Sequence, residues 1–441
     1  MAKNFLRQVF FSGRWYRMAA WAALATAAPI LLADTTTGAP ASAALGSPVE
    51  WPGYRGPSGD GHAQAENLPL DLNDPANLVW KTEIPGVGWS TPVVLGDAIW
   101  MTTATGEGTS LCAIRVDRKT GSIEQNIEVF HVETPDAIHK KNSHASPTPA
   151  LEAGRLYVNF GTNGTAAIDT ATNKVVWRDR NHTLQHFVGP GSSPVLYGDL
   201  LILTCDGADV QYSVALDTAS GVERWKTPRS GSLREDPDVK KSFATPAILR
   251  VGDHDELVSP AADHVYGYDP ASGRELWQMD YDGFSVVPRP VAAHGLVFVC
   301  TGFNTPKLLA IRQGGSGKLP PTAIAWEEKS QIPASPSLLI VGDLLYVMSD
   351  QGVATCLDAR SGRQLWRQRV GGNYSASPLF ADGKIIFTSE EGTVTFIEPG
   401  TTYREIAKCD LNTRIMATPI AIGSTLIVRT ATDLRLYRKP L

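Results

Sequence analysis

Cysteine is sparse in this chain of 441 residues. The five, Cys112, Cys205, Cys300, Cys356 and Cys409, are odd in number, never adjacent, and never spaced as Cys-x-x-Cys. That pattern excludes a disulfide framework and the usual zinc spacings, and four of the five lie inside apolar runs, so buried free thiols are expected. Charge of one sign is also missing. Forty basic and 45 acidic residues are interspersed, for a net charge of −5, which excludes a basic surface for nucleic acid or anionic lipid. Long apolar runs are absent too. Met18–Ala33 is only sixteen residues long, too short to span a bilayer comfortably. It follows Lys3, Arg7, Arg14 and Arg17 and precedes Ala41-Ser42-Ala43, so residues 1–43 read as an export signal. Membrane contact is expected only if that signal stays uncleaved.

Turn residues, in contrast, abound, with 40 Gly and 30 Pro. Eight of the prolines (Pro92, Pro147, Pro194, Pro246, Pro290, Pro336, Pro378 and Pro419) each follow a Ser or Thr, or in one case Arg289, and open an apolar segment. Their spacing of 41 to 55 residues signals stacked supersecondary units that cannot bury an apolar face alone. Each unit then shows a turn, a β-branched strand such as Leu201-Ile-Leu203, a second turn, and a closing signature. The signature places Asp and Trp eight residues apart at Asp169/Trp177, Asp217/Trp225, Asp269/Trp277 and Asp358/Trp366, with Gly or Asn completing the turn. Trp326 keeps the Trp without the Asp turn, and Gln125 is read as the one Trp vacancy. Trp80, Trp177, Trp225, Trp277, Trp326 and Trp366 are expected to pack blade on blade.

Four short strands per unit predict an all-β, eight-bladed β-propeller of four-stranded antiparallel blades. Only three strands fit after Pro419, so a strand within residues 76–84 is expected to complete the last blade and close the ring. Residues 44–75 would form an irregular extension and 76–441 the propeller. Trp51 and Tyr54 in that extension either plug the ring or pack on its outside.

The Asp-x-x-Ser/Thr-Gly-x-x-x-Trp units resemble the pyrroloquinoline-quinone (PQQ) type propeller repeat family, which includes quinoprotein alcohol dehydrogenases and BamB-like outer-membrane assembly scaffolds. The segments Trp51-Pro-Gly-Tyr-Arg-Gly-Pro, Lys141-Asn-Ser-His-Ala-Ser-Pro147, Ser285-Val-Val-Pro-Arg-Pro290 and Asn373-Tyr-Ser-Ala-Ser-Pro378 are similar to an exported bacterial subgroup of it. For the dehydrogenases the resemblance implies PQQ with calcium, carboxylate ligands and a vicinal Cys-Cys pair. This chain has no adjacent cysteines, which disfavours the cofactor and redox catalysis.

The seven residues before each of the eight prolines should open on the channel. They contain no Asp or Glu but include Lys140, Lys141, Lys240, Lys241, Arg289, Lys329 and Arg414. A positive mouth binding an anionic ligand is therefore expected, with Asn142, His144, Lys241, Arg289, Tyr374 and Arg414 as candidate contacts. The partner would be a small or polymeric ligand, or an envelope protein, bound by a monomer. No catalytic residues and no metal site are assigned. His144 and His186 lack a companion nucleophile. Asp206-Gly-Ala-Asp209 and Asp253-His-Asp-Glu256 lack calcium-loop spacing and read as solvated turns.

Overall fold

The computed structural model describes residues 49–440; the expected export signal over residues 1–43 lies outside them. Among the described residues the strands form eight sheets of four or five strands, the blades of a propeller. The second and third strands of each blade are covered on both sides by neighbouring blades. They therefore read as unbroken apolar runs, as in the fully buried Leu296–Cys300. Outermost strands alternate instead, as in Glu223–Pro228, because one side meets solvent. All five cysteines are buried and free.

The last blade is assembled from both ends of the chain. Ile420–Ile422, Thr425–Arg429 and Asp433–Tyr437 supply three strands, and Leu78–Glu83 supplies the fourth, pairing antiparallel with Asp433–Tyr437. This pairing hides two sheet edges that would otherwise template aggregation. Arg429 reinforces the seam. Its buried guanidinium donates to the Ser90 carbonyl at 2.9 Å and the Thr102 carbonyl at 2.8 Å in blade 1.

The Trp signature works between blades. The indole N–H groups of Trp80, Trp177, Trp225, Trp326 and Trp366 donate to carbonyls of Arg118, Thr218, Pro270, Ala359 and Gly400, each in the turn of the following blade. Four of these rings press on a turn glycine so closely that a Cβ would fall within 2.5–2.7 Å of them. Those glycines also take positive φ, at Gly221 φ is 75°.

Where the ring is missing the turn changes with it. Gln125 places no indole on the next turn, which has Asn173 at φ 58°; there the Arg115 guanidinium donates to the Asn173 side chain at 3.2 Å. Trp277 departs in the other direction. Blade 5 lacks the Asp turn, and its loop instead adds Gly317–Lys318 as a fifth, parallel strand beside Trp277. The Trp277 N–H turns inward to the buried Glu256 carboxylate at 2.7 Å.

Gln125 is not the only vacancy. In blade 7 the equivalent register position, opposite Phe396, is Ala407. No turn follows it in blade 8, whose outer strand comes from Leu78–Glu83, so there is nothing for an indole to dock on.

Two outcomes follow. Deleting residues 76–84 should abolish soluble monomer, as read by size-exclusion chromatography. Gly221→Ala should cost about 1–3 kcal/mol more than Asn173→Ala in urea unfolding, because only the former drives a Cβ into an indole; equal costs would remove the pairing of Trp with turn glycine.

Candidate functional site

Outside blade 1 the innermost strands have an edge that no further strand covers, and the amides there need acceptors. Side-chain hydroxyls beside six of the eight prolines supply six of these acceptors. The amides of Thr91, Thr148 and Ser193 donate to the hydroxyls of Thr148, Ser193 and Thr245 in the next blade at 2.9–3.0 Å. Those of Arg289, Ser337 and Ser377 donate likewise to Ser337, Ser377 and Thr418. A hydroxyl residue next to the proline is thus a structural acceptor, before it at Ser193, Thr245, Ser377 and Thr418 and after it at Thr148 and Ser337. The relay cannot cross from blade 4 to blade 5, because Arg289 carries no acceptor.

Arg289 serves the extension instead. Val49–Trp51 pairs with the inner strand of blade 1, starting beside its first turn. The chain then rises along the axis and turns at Arg55–Gly61. It descends beside Phe380 and Gly423. Of the two positions open to Trp51 and Tyr54, the channel is the one occupied. The Tyr54 hydroxyl sits 3.1 Å from both Ser337 and Ser377 hydroxyls, and its carbonyl accepts from Arg289 Nη1 at 2.6 Å. Arg55 is buried and donates to the carbonyls of Pro378, Leu338 and Asp60. Burial lowers its pKa, and lowers that of Arg289 to about 10, so Arg289 remains cationic at neutral pH. Gly59 and Gly61 let these guanidinium groups lie against the backbone, since a Cβ would come within 2.7 and 2.2 Å of them.

The plug seals the channel from the face of the tight first turns. On the other face it leaves a blind cavity of about 1480 Å³ with Tyr54 at its floor. Of the expected contacts, Asn142 and Lys241 line it; His144, Arg289, Tyr374 and Arg414 are not among the lining residues. Asn142 donates to the carbonyls of Val188 and Pro190 and accepts from Ser146. Lys241 is paired with Asp238 at 2.7 Å. Tyr374 lies in the core, 1% exposed, and burial raises its pKa. The His144 ring fills the space beside Gly108, and burial lowers its pKa. Arg414 is exposed and stacks on Trp89, 5.4 Å from the ring centroid.

Acid enters the mouth from outside the seven-residue windows. Asp236, Asp238 and Asp350 line the cavity beside Lys141, Lys241, Lys307 and Lys329. Lys141 and Lys329 are held by Glu390 and Glu327. The positive charge expected at the mouth is therefore largely neutralised.

What distinguishes the rim is aromatic. Besides Arg414 on Trp89, Lys241 stacks on Phe187 at 4.7 Å and Arg234 on Phe284 at 5.4 Å. Phe284 meets Phe303 edge-on at 6.2 Å. Phe187 and Phe303 are 51% and 59% exposed. The readable signal was the aromatic content of the pre-proline windows, which contain Trp89, Phe187 and Phe284.

Beside the mouth, both His186 ring nitrogens are buried without a hydrogen-bond partner, and burial lowers its pKa to about 4. Asp206, read as part of a solvated turn, is buried. It forms a two-point ion pair with Arg229 at 2.7 and 3.0 Å, and Arg229 also reaches the Tyr268 hydroxyl and Ser259. Burial opposes the Arg229 charge, yet Asp206 and Tyr268 hold its pKa above the ordinary guanidinium value. The second segment read as a solvated turn also reaches the core, because Glu256 anchors Trp277 and His254.

A calcium-bound quinone would need six to eight oxygen ligands around the ion. Among the described residues no three His, Cys, Asp or Glu side chains gather for one ion, and no cysteine lines the cavity. Asp238 is held by Lys241, Asp236 caps the Asp238 amide, and Asp350 accepts the Ala334 amide. The residues present do not fit that cofactor.

Fold and repeat together define a propeller of the PQQ-like class. The profile of the family described as outer membrane protein assembly factor BamB matches residues 77–259 and 320–405, more than half of the chain, which therefore belongs to that family. The chain is 20% identical over 302 residues to BamB of Yersinia pestis, covering 64% of this chain and 70% of that one. The BamB crystal structure from Moraxella catarrhalis superposes with a TM-score of 0.54 at 14% identity, over 82% of this chain and 99% of that one. Quinohemoprotein alcohol dehydrogenase from Comamonas testosteroni gives 0.63 at 11% identity, over 88% and 80%. At these identities the structural likenesses speak for the fold alone.

Arg289→Met should leave the Tyr54 carbonyl without its donor and destabilise the protein by about 1–3 kcal/mol. Limited proteolysis should then cut within residues 49–62 faster than in the wild type; an unchanged cleavage rate would deny Arg289 its role in holding the plug.

Proposed function

We propose that this protein is an exported binding scaffold of the cell envelope that holds a segment of a polypeptide partner on its open face, without catalysis. The observation that carries this reading is the asymmetry of the ring: one face is sealed by the plug, while the other has a blind cavity rimmed by cations stacked on aromatic rings, with Phe187 and Phe303 exposed. Aromatic and Arg side chains in partly desolvated positions are the residues that dominate protein interfaces. Lys307, a cavity-lining residue, and Arg414 have no carboxylate partner among the described residues, so the rim retains a local preference for carboxylates. An extended segment with apolar and acidic side chains fits both features. Membership of a family described by outer membrane protein assembly supports a protein partner, and the basic, apolar and small-residue sequence of residues 1–43 supports export.

The test is fluorescence anisotropy with two labelled peptides, one alternating Glu and Leu, the other alternating Lys and Leu. The acidic peptide should bind and weaken with added salt. The pair Phe303→Ala and Arg414→Glu should weaken it by about tenfold or more. Equal affinity for both peptides, or no effect of the substitutions, would overturn the reading.

A further inference from the structure

One wall of the cavity is a single loop held by few contacts. Residues 229–241 connect the outer strand of blade 3 to the inner strand of blade 4, and Asp236, Asp238 and Val239 line the cavity. The other side of the loop, Ser230–Arg234, borders a second cavity of about 540 Å³ with His264, Asp280 and Lys318. Most of the loop is solvent-exposed, so its position depends on a handful of tethers. The Gly231 amide donates to the Tyr266 hydroxyl at 3.1 Å, the Ser230 hydroxyl donates to Glu275 at 2.7 Å, and Arg234 pairs with Asp263 and Asp282.

A further tether is His264, buried at the start of the third strand of blade 4. Its Nδ1 lies 3.0 Å from Asp280 Oδ1 and its Nε2 lies 2.9 Å from the Ser232 carbonyl. Both neighbours are acceptors, and only an imidazolium carries a proton on each nitrogen. A neutral ring would keep its proton toward the carboxylate, the stronger acceptor, and turn a lone pair toward the Ser232 carbonyl.

We propose that residues 230–240 form a hinged wall of the blind cavity, docked on blade 4 while His264 carries both ring protons and released at Ser232 when it carries one. Several charged and titratable groups face the ring. Asp280 is held below the ordinary carboxylate range by Lys318, against the effect of burial, and further by His264 itself. Lys318 sits on the far side of Asp280 at 2.6 Å. Asp263, Asp282 and Tyr281 border the same cavity, and Glu275 faces the loop through Ser230. Arg229 stacks on the Tyr266 ring at 5.1 Å, and that ring lies 5.7 Å from the His264 ring.

Docking at Ser232 needs the second ring proton, so it weakens as rising pH removes that proton. The consequence for binding follows through Arg234, which stacks on Phe284 and so reaches Phe303 on the rim. Only that consequence rests on the proposed polypeptide binding; the latch itself does not.

Hydrogen exchange tests the latch with no peptide present, so its failure is separable from failure of the binding reading. After correction for intrinsic exchange rates, protection of the Gly231, Asp238 and Val239 amides should fall by about tenfold from pH 5.5 to pH 8, the scale of one hydrogen bond to a charged group. In His264→Gln the protection should be the same at both pH values. A wild-type protein without the step, or a step that persists in His264→Gln, overturns the proposal. Should His264→Gln not fold, ring ¹⁵N NMR of the wild type at pH 5.5 decides. Two protonated nitrogens support the latch, and one protonated nitrogen overturns it. His186, with a pKa of about 4, does not titrate across this window.

Discussion

Eight inner strands converge on an axis, and only that of blade 1 gains a paired strand on its inner side, from the plug itself. Every amide on those free edges must find an acceptor in a space too narrow for a further layer of secondary structure. The hydroxyl relay answers this from blade to blade, and the plug answers it from within the channel. Tyr54 joins the two by placing its own hydroxyl against the relay. Much else follows from this requirement. The inner positions are small and hydroxyl-bearing, the one long side chain among them reaches inward to hold the plug, and only one face stays open.

The architecture was legible because it is written in spacing. The prolines recur at the blade interval, and counting strands after Pro419 leaves a gap that Leu78–Glu83 fills. The mouth was less legible for a physical reason. Counting charges in the stretches before each proline misses carboxylates delivered by other loops: Asp350 comes from the turn between the second and third strands of its blade, and Asp236 and Asp238 lie just ahead of a counted stretch. Residues such as Arg289 and Tyr374 share sequence positions with exposed ones, yet the plug covers the first and the core the second. Nothing local in the sequence distinguishes a channel residue that faces a ligand from one that faces the protein's own extension.

The tryptophan pattern shows how a departure from a repeat can be more informative than the repeat. Asn173 stands where four related turns have glycine pressed by an indole, and the previous blade has Gln125 where an indole would press on it. Trp277, lacking a turn to dock on, finds Glu256 instead. Ala407 stands where no turn follows. In each case the two halves of an interface have changed together, which is what direct packing between blades demands.

The seam between blades 8 and 1 has a temporal consequence. Leu78–Glu83 leaves the ribosome long before Asp433–Tyr437, its pairing partner, which lies some 350 residues later. At ordinary elongation rates the wait is roughly 20–70 s. During that interval seven blades' worth of chain accumulates with an open edge at each end, and no ring can close until the last strand arrives. The nascent protein must therefore be kept from pairing with its neighbours by something other than its own fold.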